Sequence, residues 1–223
     1  MRKPRRLSPE ELAPYQVQVP PQRKLELGEA APPMPSIHWR ELFGNTNPVE
    51  VEVGFGKGLF LVTESQAHPE RNYFGIEIVR KYQLYATTRI AVRKLPNAKT
   101  CCADAKAVLQ HCITPGTVDV VHVFFPDPWW KNRHKKRLLF TPEFAELVLR
   151  VLKSAGILHF VTDVHDYFEM VTELLAQVPA FEMQPPREET AGEHDMDYLT
   201  NFERKFRQQG KPIYRSAYLK VSG

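Results

Sequence analysis

The 223 residues suffice for one domain of ordinary size with its own core, and 43% hydrophobic with 25% charged residues is the balance of a soluble globular chain. No apolar run approaches the roughly 20 residues needed to cross a bilayer, and the basic start Met1-Arg2-Lys3-Pro4-Arg5-Arg6 lacks the apolar stretch of a secretory leader. The net charge of +4 is modest but segregated: residues 131–137 hold five Lys/Arg and no acid, and the tail beyond Glu203 also lacks acids, as suits a polyanion partner or a solvated helix face.

Residues 1–47 are rich in proline and charge, with Pro20-Pro21 and Pro32-Pro33-Met34-Pro35 breaking any long period. They read as a basic, partly disordered arm with one short helix over 37–43, and the domain proper as 48–223. From residue 49 strand and helix signals alternate. Strands are predicted over 49–55, 73–78, 99–103, 118–125 and 157–162, and helices from Gly58 to near His68, over 80–95, over 105–113, and from Pro142 to near Gly156. Thr141-Pro142 supplies an N-cap followed by proline at the first helical position. Cys101, Cys102 and Cys112 are odd in number and lack paired metal spacing, so they read as core fillers in a reducing, cytosolic setting without a metal. Two further strands (181–184 and 213–221) flank a helix over 201–209. Such a series predicts a mostly parallel seven-stranded sheet with helices on both faces and an antiparallel last strand.

The first strand ends in Glu52-Val53-Gly54-Phe55-Gly56-Lys57-Gly58. Glycines there allow a tight turn and close approach of a ligand at a helix start. The spacing is not the longer one of dinucleotide sites, and an acid two residues ahead of the first glycine repels phosphate. A ligand with a cationic amino-acid end fits better. Glu77, closing the second strand, is placed to accept two ribose hydroxyls, and Asp104, after the third, to accept an adenine amino group. Adenine, ribose diol and a sulfonium with an α-amino group together describe S-adenosylmethionine, and the α/β pattern becomes that of a Rossmann-like class I methyltransferase.

After the fourth strand comes Phe125-Pro126-Asp127-Pro128-Trp129-Trp130, then Lys131, Arg133, Lys135, Lys136 and Arg137. The prolines fix their own φ and bias the preceding residues away from helix, which holds Asp127 on a stiff extended turn. A rigid carboxylate beside stacking surfaces and phosphate-seeking cations suits chemistry on a nucleic-acid base.

With these motifs, Gly75-Ile76-Glu77, Thr162-Asp163, and Thr200-x-x-Glu203 before Lys205-Phe206, the chain from Val49 onward resembles the bacterial tRNA (guanine-N7-)-methyltransferase family. The resemblance implies methyl transfer from S-adenosylmethionine to N7 of a guanine in the tRNA variable loop; the protein is expected to be cytoplasmic, with monomer and homodimer both open. By it Glu52, Gly54, Gly56, Glu77, Asp104, Ala105 and Asp127 hold the methyl donor, with Asp127 catalytic, and Lys131, Asp163, Thr200 and Glu203 contact the tRNA. Trp130 stands where the family commonly has proline, Leu138 where it often has arginine, and Phe202 where tyrosine is usual.

Guanine N7 carries a lone pair and no proton, so its methylation needs alignment rather than a general base. A fixed carboxylate stabilises the cation that forms, the role given to Asp127. Asp163 either selects guanine through its N1–H and N2–H₂ edge or caps the following helix. Thr200 and Glu203 also match a helix-start pattern, hydroxyl at the cap and glutamate three residues on. Lys131, Arg133, Lys136 and Arg137 suit phosphates, and one of Trp129 and Trp130 suits a base. The competing functions are an exocyclic-amine RNA methyltransferase, a non-catalytic RNA-binding module and a dehydrogenase; the last would want the longer glycine spacing.

Overall fold

The computed structural model describes residues 7–20, 32–128, 138–186 and 200–221. The described chain begins with α1 (Pro9–Leu12), whose first turn Ser8 and Glu11 cap reciprocally, then a 3₁₀ turn (Ala13–Tyr15) and strand β1 (Gln16–Val17). Next come α2 (Trp39–Phe43), β2 (Val49–Val53), α3 (Leu59–Ala67), β3 (Asn72–Glu77), α4 (Arg80–Val92), β4 (Ala98–Cys102) and α5 (Ala105–His111). The second half runs β5 (Val118–Phe124), α6 (Pro142–Val151), β6 (Leu152–Thr162), α7 (His165–Ala176), β7 (Phe181–Gln184), α8 (Asn201–Gln208) and β8 (Tyr214–Lys220).

The strands form one sheet in the order β1-β4-β3-β2-β5-β6-β8-β7. Pairing is parallel from β1 through β6, and β8 runs antiparallel to both β6 and β7. The seven predicted strands are β2 to β8. The eighth, β1, comes from the proline-rich start, where no period marks a two-residue strand. It lies along β4, with Gln16 opposite Thr100 and Val17 opposite Cys101. Lys99 Nζ donates to the Pro14 carbonyl at 2.6 Å and Gln83 Nε2 to Gln16 Oε1 at 3.1 Å, so this segment is tied to both β4 and α4. The helix predicted over 37–43 is α2, and its Trp39 Nε1 donates to Thr117 Oγ1 at 2.9 Å.

One boundary moved for a physical reason. The helix expected to reach Gly156 ends at Val151 and passes directly into β6, which carries an irregularity where Ala155 takes φ 60°. A Cβ on Gly156 would sit 2.9 Å from the Lys153 carbonyl oxygen, so glycine there permits the kink.

β2 explains how the sheet is shared between two cores. Its sequence Val-Glu-Val-Glu-Val is buried throughout, and alternation sends the valines to one face and Glu50 and Glu52 to the other. The valine face packs with Phe74, Ile76, Val121, Val123, Leu158 and Phe160 under α5, α6 and α7. On the opposite face Phe60, Tyr73, Phe124 and Val161 pack under α3 and α4. A Cβ on Gly75 of β3 would strike Leu61 and come within 2.5 Å of Phe55, which lets α3 close tightly over β3.

Two buried carboxylates on one strand need explaining. Glu50 is neutralised: His122 Nε2 lies 2.7 Å from its Oε2, and Arg71 Nη1 donates to its Oε1 at 2.6 Å. Burial pushes the carboxyl up, but His122 and then Arg71 outweigh it and hold the group at about 2, against an ordinary 4.5. A depressed carboxyl contributes stability that is complete above the ordinary value and is lost as pH falls toward the folded one. Thermal unfolding followed from pH 7 downward should therefore lose stability between about 4.5 and 2. Glu50→Gln should lower stability at neutral pH by about 3–5 kcal/mol, as for a broken buried pair, and flatten this acid limb. An unchanged acid limb in the variant would remove Glu50 from that role.

Candidate active site

The carboxyl ends of β4, β3, β2, β5 and β6 lie side by side, and the order of strands reverses between β2 and β5. Open α/β sheets bind ligands at such a switch point. The turn after β2 crosses it. Gly54 (φ 77°) and Gly56 (φ 54°) are left-handed, and the space a Cβ would enter is empty at both. Between them Phe55 is buried and anchors the turn in the core.

Glu77 ends β3 against this turn. Its Oε2 accepts from Gly56 N–H and its Oε1 from Val79 N–H, each at 2.8 Å. A carboxylate has about four lone-pair positions, so each oxygen keeps one for a ligand hydroxyl. Ile78, the next residue, is 67% exposed, and Val79 beside it is also exposed. Apolar side chains left open next to a hydroxyl acceptor offer a planar ring a surface to lie on.

Glu52 is 2% exposed, and its Oε2 has no hydrogen-bond partner among the described residues. Burial first, then the charges of Glu77 and Glu64, push this carboxyl well above the ordinary range. A buried acid without a cation is costly unless a ligand supplies one. The orphaned oxygen, the open glycine turn and the Glu77 acceptors fit a ligand with an ammonium group and a ribose diol.

Asp104 lies outside the core, and its Oδ1 accepts from Lys106 N–H at 2.8 Å and Ala107 N–H at 3.3 Å, which makes it the N-cap of α5. Ala105 is the first residue of that helix. The cap was missed in the sequence, although an Asp directly before a helical run is its usual signal. Asp127 is exposed beyond the end of β5. Tyr167 of α7 feels its charge: burial chiefly raises that phenol, and Asp127 adds to the shift.

Asp163 follows β6 and is partly exposed. The cap of α7 is Val164, with no side-chain hydrogen bond, so the capping alternative for Asp163 is set aside. Thr200 does cap α8, its Oγ1 accepting from Glu203 N–H at 3.0 Å. Glu203, 2% exposed, turns inward, where its Oε1 accepts from Arg207 Nη2 and Arg215 Nη2 at 2.7 Å each. The Arg207 pair is an i,i+4 pair within α8, but the Arg215 pair was invisible in the sequence because Arg215 is on another element. Trp129, Trp130, Lys131, Arg133, Lys136 and Arg137 lie outside the described residues.

An open sheet with its last strand reversed, a glycine turn and acids along one carboxyl edge defines a class I methyltransferase. The fold agrees with solved structures of that class. The 16S rRNA methyltransferase KamB matches with a TM-score of 0.60 and 15% identity over 83% of this chain and 93% of that one. A SAM-dependent methyltransferase from Aquifex aeolicus matches with a TM-score of 0.53 and 14% identity over 82% of this chain and 87% of that one. A sequence family described as putative methyltransferase covers residues 46–216. The tRNA (guanine-N(7)-)-methyltransferase of Rhodopirellula baltica is 48% identical over 194 residues, 84% of this chain and 71% of that protein. Its counterpart in Streptococcus mutans is 35% identical over 80% of this chain and 84% of that protein. The chain belongs to the tRNA (guanine-N(7)-)-methyltransferase family.

Proposed function

We propose that this protein transfers a methyl group from S-adenosylmethionine to N7 of a guanine in the tRNA variable loop. The observation that carries the reading is the buried, partnerless Glu52 oxygen at the glycine turn, on the same sheet edge as Asp127. Bound at that edge, S-adenosylmethionine supplies an electrophilic methyl group on a positively charged sulfur. Glu52 receives the α-ammonium, Glu77 the ribose hydroxyls, and Ile78 lies against the adenine. Gly54 and Gly56 keep the turn open, while Asp104 and Ala105 border the adenine edge.

The guanine N7 lone pair forms the new N–C bond as the C–S bond breaks, and the bonding pair stays on sulfur. No proton moves at N7, so no base is required. Alignment of the three atoms, worth up to about 7–11 kcal/mol in favourable cases, and an anion near the new purine cation are what the protein contributes. Asp127 is that anion, and Asp163, free of a capping duty, accepts from the guanine edge. Thr200 and Glu203 act on the substrate through the placement of α8. In this reading residues 48–223 are the catalytic unit, preceded by an arm whose α1–β1 segment lies along α4 and β4.

Incubation of the purified chain with labelled donor and tRNA lacking N7-methylguanine, followed by nucleoside analysis, tests the reading. Label at N7 supports it, and label on an exocyclic nitrogen transfers the chain to the amine chemistry. Reversing the charges of Lys131 and Arg133 should weaken tRNA binding and reduce the slope of log affinity against log salt by roughly one to two, with donor affinity unchanged. Filter binding across a salt series reads this directly. An unaltered slope would take these residues off the phosphates.

A further inference from the structure

The residue that aims Asp127 has an unusual backbone. Phe125, directly after β5, has φ 49°, one of three non-glycine residues with positive φ among those described. A bulky aromatic residue is disfavoured there and persists only where its surroundings hold it. Its N–H still donates to the Val161 carbonyl at 2.7 Å, so the chain leaves the β6 ladder at this point and turns into Pro126-Asp127-Pro128.

What holds it is α8. The Phe125 ring lies 5.6 Å from that of Phe206 and 6.1 Å from that of Phe202, and those two stack at 6.2 Å, one helical turn apart. Phe206 is buried, with Lys211 Nζ 5.3 Å from its ring centre. The helix is fixed in its turn: Thr200 caps it, and Glu203 grips Arg215 on β8. Arg215 stands opposite Val161, the residue whose carbonyl receives the Phe125 amide. The contacts close a ring from Phe125 through Val161, Arg215, Glu203 and Phe206 back to Phe125.

We infer that Phe206 is a positioning residue for methyl transfer: by holding Phe125 in its left-handed turn it sets the direction of the Pro126-Asp127-Pro128 segment. The inference rests on the reading of Asp127 given above. Glu203 serves the same end from behind, by pinning α8 to β8. This assigns the Thr200/Glu203 helix a task in turnover that requires neither side chain to touch RNA.

The test is turnover per folded enzyme at saturating donor and tRNA, with donor affinity measured separately by calorimetry. Phe206→Ala should lower kcat about 10- to 100-fold, the scale of a misplacement near 1 Å, with donor Kd within about twofold. Phe206→Leu, which refills much of the volume without the ring, should recover only part of that loss and stay measurably below wild type, and it serves if the alanine variant folds poorly. Phe125→Ala combined with Phe206→Ala should lose no more than the worse single change, because both act through one turn. Wild-type kcat in Phe206→Ala or Phe206→Leu alike, or multiplicative losses in the double variant, would overturn the inference. Wild-type enzyme that forms no N7-methylguanine in this assay would defeat the tRNA reading itself, a result distinct from unaffected variants of an active enzyme.

Discussion

Asp127→Ala should reduce methyl transfer roughly 10²- to 10³-fold, the usual loss when a preorganised electrostatic partner is removed from a transition state. The side chain is exposed beyond β5 and carries no core packing, so the melting temperature should not move. Guanine is neutral before transfer and cationic after it, so an anion fixed beside the ring favours the transition state over the ground state. The loss should therefore fall on kcat, with tRNA affinity much less affected. Asp127→Asn keeps the shape and removes the charge, and should be nearly as slow as alanine. Single-turnover rates on saturating tRNA decide the matter: an asparagine variant close to wild type would show that the charge is not what the site uses.

Glu52→Gln should weaken the donor by roughly 10- to 100-fold, the scale of one charge-assisted hydrogen bond, and at the same time make the free protein more stable at neutral pH. The free carboxyl is held above its ordinary value by burial and by Glu77 and Glu64. The folded state then keeps a proton that the unfolded state has released, so stability falls as pH rises from the ordinary value through the raised one. An amide at the same position removes that penalty. An ammonium brought against Glu52 favours the ionised form, so donor binding expels the proton wherever the free group still holds it. Calorimetry in buffers of different ionisation enthalpy should show proton release for the wild type and none for Glu52→Gln. A variant that binds the donor normally would dissociate Glu52 from the ammonium. The stability gain beside lost function is the compromise typical of sites under electrostatic strain.

Much of the fold was legible because it is written in short-range pattern. Short apolar runs alternating with helical segments marked β2 to β6, Thr141-Pro142 marked the start of α6, and strand ends followed by glycine or acid marked the sheet edge. What escaped depends on partners remote in the chain. Glu50 and Glu52 look alike in the sequence, two residues apart on one strand. Only the register that sets β5 beside β2, with His122 opposite Glu52 and within reach of Glu50, separates the paired acid from the strained one. Glu203 likewise read as a helix-start residue until β8 brought Arg215 to it. The left-handed Phe125 had no signal at all, since nothing local asks a phenylalanine to adopt that conformation; the aromatic contacts from α8 do.

The two-residue strand at Gln16 and Val17 reaches further than its length suggests. Without it β4 would be the outermost strand on that side, presenting unused amides and carbonyls to any passing chain. The proline-rich leader thus acts as a hem on the fabric of the sheet. A shortened protein starting at Val49 would keep every acid of the donor site, yet it should be prone to self-association through that frayed border.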